Sequence, residues 1–354
     1  MSTNDLLFEP DSLEKYISKM YERAGMPEED ARWSAHCQVL TNLWGIDSHG
    51  VLRTPAYIER VKKKAVNPTP DIKVVKENGG MTLLHGDDGM GYVVGKAAME
   101  KAIEKAKDHN IASVGVIRSN HFGAAAIYAR QAAEAGYIGI VATNVIPNIG
   151  VVGSQKPSVG NNPIAFSVPT YGEFPFVLDI SLSAVSGGKL LLKSKRKEKI
   201  PTNWAVDPQG NPTDDPDEGF KGFLLPTGGH KGFGLALFVD IICGVINGGV
   251  FLQDMQSMYK HPDDPSLTCH QMIVMNPQAF LSRNEMKQRM DSFIDMLKQT
   301  PMQEGYEMLL PGELEHRSAE QRKREGIPLS QALYDDLIKL AGELGIDETL
   351  TPKR

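Results

Sequence analysis

Six consecutive residues, Ser48-His49-Gly50-Val51-Leu52-Arg53, carry a hydroxyl, an imidazole and a guanidinium. An arginine offers a planar fork of donors that matches a carboxylate, and a histidine exchanges a proton near neutral pH. Together they suit the carbonyl or hydroxyl carbon of a small oxo or hydroxy acid. On this segment alone, a structural histidine beside a surface arginine is the plainer reading, because Ser-His-Gly is common by chance.

Four further stretches put glycines and polar residues at the ends of apolar runs, where an α/β sheet opens its crevice. Arg118-Ser119-Asn120-His121-Phe122-Gly123-Ala124 stands at a strand-to-helix junction whose free backbone donors could hold a phosphate or carboxylate. Equally, Ser119 or Asn120 could cap the helix and leave His121 solvated. In Gly160-Asn161-Asn162-Pro163, Asn161 could bond a substrate oxygen or only its own turn. Asp179 ends the apolar run from Phe176, either accepting from a ribose or capping a helix from Leu182. His230-Lys231-Gly232 sets a cation at the mouth of a long helix, against the helix dipole, so Lys231 calls for an anionic partner.

These residues need elements to position them. Asp11-Ser12-Leu13-Glu14 reads as a capped start for one helix and Pro27-Glu28-Glu29-Asp30 for a second. Thr54-Pro55 begins a third, carrying Tyr57; a helical turn before it would set His49 and Arg53 on one face. Val66-Asn67-Pro68-Thr69-Pro70 reads as a linker. Strands and helices then alternate: strands at 72–75, 81–85, 112–117, 137–143, 164–168, 174–180 and 271–275, with helices at 122–135, 182–192, 231–247, 285–297 and 329–344. Such alternation predicts an α/β sheet covered by helices. Gly89-x-Gly91 runs on to Gly95 with one residue too many for a dinucleotide fingerprint, so no Rossmann loop is read there.

Composition excludes several functions. A net charge of -6 over 354 residues gives no basic field for nucleic acid. Cys37, Cys243 and Cys269 are odd in number and far apart, which fits a reducing compartment and no disulfide framework. The first residues lack the basic and apolar regions of a secretory signal, and the apolar run from Gly232 to Val250 is broken by Asp240, Asn247 and glycines. The expectation is a cytoplasmic protein with no membrane span. The basic run at 193–199 reads as a solvated helix end that would also suit a 2′-phosphate.

Ser48-His49-Gly50 with Arg53 and Tyr57, Ser119-x-His121-Phe122-Gly123, Gly160-x-Asn162-Pro163, Leu178-Asp179, His230-Lys231-Gly232 and Pro311-Gly312-Glu313 stand in this order along nearly the whole chain. Together they resemble the malate/L-lactate dehydrogenase-like family of NAD(P)-dependent oxidoreductases. The resemblance implies an α/β fold that is not Rossmann: a mixed-sheet core covered by helices, with a helical part from both chain ends. It divides the chain into an N-terminal helical part at 1–70, a cofactor-binding core at 71–318 and a C-terminal helical part at 319–354. It also implies NAD or NADP as cofactor, a small 2-oxo or 2-hydroxy acid as substrate, and a homodimer with its site near the subunit boundary.

Residue by residue, the resemblance implies that His49 is the acid/base with Ser48 as relay, that Arg53 grips the substrate carboxylate, and that Tyr57 and Asn161 lie on the substrate side. His121 is carried over as either acid/base or cofactor contact. Phe122, Gly123, Ala124, Asp179, Ile180, Ser181, His230, Lys231 and Gly232 are carried over as cofactor contacts, as are Pro311, Glu313 and Arg317. Two departures stand out. Asn161 replaces a threonine, and Ser186-Gly187-Gly188-Lys189 replaces Ala-Arg-Gly-Lys, where cyclic imine reductases end in aspartate. Lys189 therefore favours malate-, lactate- or sulfolactate-type hydroxy acids over diketogulonate or a cyclic imine carboxylate. A metal-dependent hydrolase is a remote alternative, without a recognisable His/carboxylate ligand spacing.

Overall fold

The computed structural model describes residues 5–353. Residues 1–4, on which the signal-sequence expectation partly rests, and residue 354 lie outside them. At its centre is a seven-stranded sheet in the spatial order Lys73–Asn78, Met81–His85, Ile111–Ser119, Thr268–Met275, Ile138–Thr143, Ile164–Val168, Phe176–Ile180. Met81–His85 and Ile111–Ser119 run parallel, joined by the helix Gly91–His109, and the other neighbours are antiparallel. This is the mixed sheet expected, distinct from the all-parallel doubly wound arrangement.

Strand alternation decides which face is covered. Val114 and Val116 point the same way as Met272 and Val274, all fully buried beneath Ala98, Ala102 and Ala106 of the Gly91–His109 helix. On the opposite face Gly115 leaves room for the Asn247 side chain, which donates to the His270 carbonyl and the Gln271 side chain. The helices Pro10–Arg23, Glu28–Leu43 and Thr54–Lys62 join the same core as the covered face. The C-terminal helix Gln331–Glu343 packs on Thr54–Lys62, and Leu6–Phe8 pairs with Ile327–Leu329, so the two chain ends meet.

Several boundaries differ from the periodicity reading. The helix expected over 122–135 is Ala126–Glu134, because residues 120–125 form an irregular turn. Its glycine, Gly123, has φ +77 and faces the Tyr92 ring, a place no side chain fits. Neither Ser119 nor Asn120 caps it; Ser119 bonds His270, and Asn120 bonds the Asp88 and Gly89 carbonyls. The helix expected from Leu182 begins at Gly187, where the Ser186 hydroxyl accepts from the Lys189 N–H. The long apolar helix is His230–Asp240, continued as a wider turn over Ile241–Val245, and it is not buried all round. Among the described residues no helix is long and apolar enough to cross a membrane.

Candidate active site

The Ser-His-Gly turn is not a continuous helix. Two short 3-10 turns, Asp47–His49 and Val51–Arg53, flank Gly50, whose missing Cβ makes room for the Asn42 side chain. Asn42 accepts from the Val51 N–H (2.9 Å) and donates to Asp47 (2.6 Å). Arg322, from the helix Glu313–Glu325, grips both Asp47 oxygens at 2.6 and 3.0 Å and the Asn42 carbonyl at 2.6 Å. A bidentate pair of this kind fixes orientation as well as position. The turn is thus held by residues from both chain ends.

On this anchored turn the Ser48 hydroxyl lies 3.0 Å from His49 Nδ1, and Arg53 folds back so that its Nε donates to the Ser48 carbonyl at 2.7 Å. The terminal nitrogens of Arg53 meet no carboxylate among the described residues. Burial, and then the neighbouring Arg53 charge, push the His49 imidazole down to about 4, so it is neutral at pH 7.

His121 comes from the turn after the strand Ile111–Ser119, and its ring stacks on His49 with centroids 5.6 Å apart. Tyr57 Oη lies 2.6 Å from His121 Nδ1, and the Gly123 N–H donates to the same nitrogen at 3.3 Å. A backbone N–H only donates, so Nδ1 is the acceptor and the single proton of neutral His121 sits on Nε2. Burial, followed by the nearby His49 and Arg53, holds this imidazole well below its ordinary range. The Tyr57 phenol is pushed up to about 12 by burial and stays neutral. Beneath them the fully buried His270 bonds Ser119 and Thr143 at 2.8 Å each and stacks on Phe122 at 4.3 Å, which fixes the turn from below.

These groups open on one cavity of about 740 Å³, within the usual range for small-molecule sites. Ser48, His49, Arg53, His121, Phe122, Gly123, Ala124, Asn161, Asp179 and Ser181 all line it. Asp179 caps a helix, though not the one expected: it accepts from the Ala126 N–H at 2.8 Å, at the start of Ala126–Glu134. Burial pushes its carboxyl up to about 6. Asn161 is largely spent within the protein, donating to Ser181 (2.7 Å) and accepting from Asn148 (3.0 Å).

The remaining expected residues do not line the cavity. Tyr57 stands behind His121, bonded to its Nδ1. Ile180 sits on the edge strand, where it packs with a second apolar cluster. Pro311, Glu313 and Arg317 brace a turn: Glu313 accepts from the Leu310 N–H (3.1 Å), Lys298 (2.6 Å) and Arg317 (2.5 Å), and the cavity receives Gly312 and Glu315 instead. Gly312 has φ +93 and lies against the Pro175 carbonyl, where a Cβ would intrude. His230 and Lys231 are exposed at the start of their helix and do not line the cavity; just before them the Thr227 N–H donates to the Leu182 carbonyl at 2.9 Å. Gly232 is buried against Thr227, and Lys231 meets no acid among the described residues. Lys189 points away, its Nζ 5.5 Å from the Trp204 ring, while Gly187 and Gly188 line the cavity. In the basic run, Lys193 pairs with Glu198 and Lys199 with Asp214, outside the cavity.

Sequence reasoning passed over Asn42, Arg322, Tyr92, Arg130, Thr143, Asn148 and His270. Arg130 has the spacing of an ordinary surface pair with Glu134, which it does form at 2.7 Å, yet it also sits over Trp44 at the cavity wall. Asn42 and Asn148 bond partners within the same stretch of chain but form no recognisable motif with them, and Arg322, Tyr92, Thr143 and His270 meet partners distant in the chain.

A mixed sheet, a histidine pair and a free guanidinium on one cavity define a dehydrogenase-type site. The malate/L-lactate dehydrogenase family matches residues 8–338, and the chain belongs to it. It is similar to the L-sulfolactate dehydrogenase of Methanocaldococcus jannaschii, 36% identical over 97% of this chain and 98% of that one. It is likewise similar to the malate dehydrogenase of Pyrococcus abyssi, 37% identical over 95% of this chain and 94% of the relative. The solved structure of the M. jannaschii sulfolactate dehydrogenase superposes with a TM-score of 0.91, at 37% identity over 96% of this chain and 98% of that chain. The protein is therefore a malate/L-lactate dehydrogenase-like 2-hydroxy acid dehydrogenase of an NAD(P)-dependent family, which sets the hydrolase alternative aside.

Proposed function

We propose that this chain interconverts a small 2-hydroxy acid of the malate or sulfolactate type and its 2-oxo acid. The observation that carries the reading is the fork of Arg53, with no carboxylate partner among the described residues, on the same cavity as two stacked histidines. Arg53 takes the substrate carboxylate. His121, locked with its proton on Nε2, donates a hydrogen bond to the 2-oxygen as charge grows there. His49 exchanges the proton, with exposed Ser48 as its link to water. In reduction, the bound carboxylate offsets the Arg53 charge, the smaller of the two causes that hold His49 down, and so eases protonation of the imidazole as substrate binds. In oxidation, neutral His49 is already the base.

The cavity fits a nicotinamide cofactor, with small residues along one wall and the Asp179 carboxyl for a hydroxyl. NAD(P)H supplies the hydride that reaches the 2-carbon. The residues placed to hold it are Phe122, Gly123, Ala124, Asp179 and Ser181, with Ile180 in the adjoining strand. His230, Lys231 and Gly232, carried over from the family resemblance, do not line the cavity; Pro311, Glu313 and Arg317 belong to the braced turn that carries Gly312. Reduction of oxaloacetate, pyruvate, sulfopyruvate, diketogulonate and piperideine carboxylate, each with NADH and with NADPH, tests the reading at 340 nm. The highest kcat/KM is expected for oxaloacetate or sulfopyruvate; a preference for the cyclic imine would overturn the hydroxy-acid assignment.

We further propose a homodimer. Leu235, Phe238, Ile241, Val245 and Ile246 leave an apolar stripe exposed on the 230–246 helix, Phe238 at 54%. It borders a groove lined by Met81, Leu83 and Ile273 on the open face of the sheet. Apolar patches of this sort mark protein contacts. Light scattering after size exclusion is expected to give twice the chain mass, and Phe238→Asp to give the monomer.

A further inference from the structure

The helix Thr54–Lys62, which Arg53 precedes and which carries Tyr57, holds one more buried polar side chain that faces the site's loops, Arg60. Arg60, only 2% exposed, donates from Nη2 to Asn120 Oδ1 (3.0 Å), the Asp264 carbonyl (2.9 Å) and the Ser266 hydroxyl (3.0 Å). Its Nη1 donates to the carbonyls of His261 (3.3 Å) and Pro262 (3.4 Å). A guanidinium taken out of water with no salt-bridged carboxylate among the described residues is costly, so the arrangement calls for a reason.

The acceptors supply one. Four of them lie on the 261–266 segment, and the fifth is the side chain of Asn120, the neighbour of His121. Asn120 is itself fixed by donating to the Asp88 and Gly89 carbonyls at 2.8 and 3.0 Å, and it accepts the Ser266 N–H at 3.3 Å. Just upstream the chain turns, with the His261 N–H donating to the Ser257 carbonyl at 2.8 Å, and the apex carries Tyr259. Tyr259 lines the active-site cavity although 61% exposed, and its ring centroid lies 5.8 Å from Arg53 Cζ. Arg53, Tyr57 and Arg60 thus recur at helical spacing and serve the clamp, His121 and this loop respectively.

We propose that Arg60 is a positioning residue for substrate binding: it ties the 261–266 segment to Asn120, so that Tyr259 stays against Arg53 and keeps the guanidinium fork turned into the cavity. The inference rests on the reading of Arg53 as the carboxylate clamp. Among the described residues Arg53 has one hydrogen bond, from Nε to the Ser48 carbonyl, so the planar guanidinium as a whole can still swing about that bond, and the Tyr259 ring beside it restricts the swing.

Kinetics of 2-oxo acid reduction test it, with the cofactor dissociation constant read separately from nicotinamide fluorescence. Tyr259→Ala is expected to raise KM for the acid by about 2- to 10-fold while kcat and cofactor affinity stay near wild type. Arg60→Lys keeps the charge but cannot span five acceptors, and is expected to raise KM by a similar factor. The double variant should then be no worse than Arg60→Lys alone, because both changes break one chain of contacts. If Arg60→Lys does not fold, Ser266→Ala replaces it in the cycle. A Tyr259→Ala enzyme with wild-type KM, or effects that multiply in the double variant, would overturn the proposal. Arg53→Met, assayed alongside, separates the two layers: a large loss of acid binding leaves the clamp standing and puts any failure on the loop, whereas no loss overturns both.

Discussion

His49→Ala is expected to lower turnover in both directions by about 10²- to 10⁴-fold, the usual worth of a positioned proton donor or acceptor, while the cofactor dissociation constant stays unchanged. The pH dependence adds a test that simple damage would not reproduce. Oxidation needs neutral His49, so kcat/KM for the hydroxy acid should hold across neutral pH and fall only as pH drops toward about 4, the value to which burial and Arg53 depress this imidazole. His49→Ala should lose that acidic limb. His121→Ala should lose rate but keep it, since His121 has its Nδ1 occupied by Gly123 and Tyr57 and works without titrating. Retention of more than about a tenth of turnover in His49→Ala would contradict the assignment. If instead His121→Ala alone removed both the rate and the acidic limb, the acid/base role would pass to His121.

Arg53 carries the second large effect. A charge-assisted hydrogen bond is worth about 1.5–3 kcal/mol, so Arg53→Lys, which keeps a charge but loses the fork, should lower kcat/KM by roughly 10- to 100-fold. Arg53→Met should fall lower still, because it also leaves the carboxylate with no cation. Removing the cation has a further sign that can be read independently. Arg53 depresses the His49 pKa, so in Arg53→Met the imidazole should titrate at higher pH, visible in the ring-proton shifts of the free enzyme. Affinity for NAD(P)H should barely move. Undiminished oxo-acid reduction by Arg53→Met would redirect the search for substrate to neutral carbonyl compounds.

Much of this site was legible in the residues as written. The hydroxyl, imidazole and guanidinium of 48–53, the turn at His121 and the acid at 179 all belong to local patterns: turns, strand ends and helix starts whose geometry is settled by neighbours in the chain. The alternation of strands and helices gave the class of fold for the same reason, since period and turn chemistry are local. The boundaries failed where a distant partner outweighed propensity. Residues 122–125 have alanine-rich helical character yet stay irregular, because Phe122 stacks on His270 and Tyr57 engages His121.

What only the tertiary structure decided is which of these groups meet, and in what protonation state. Asp179 could have capped the helix that follows it; the sheet instead carries it beside Ala126. The proton of His121 is placed on Nε2 by Gly123 and by Tyr57, which lies 64 positions earlier. Asp47 is held by Arg322, 275 positions away, and Arg60 reaches a segment some 200 residues on. None of these contacts leaves a periodic trace, because a hydrogen bond between distant segments asks only for one suitable polar atom at each end. Sequence by itself therefore determined the chemical inventory and the kind of scaffold; long-range packing decided the neutral histidine pair, the free arginine fork and the loop that faces it.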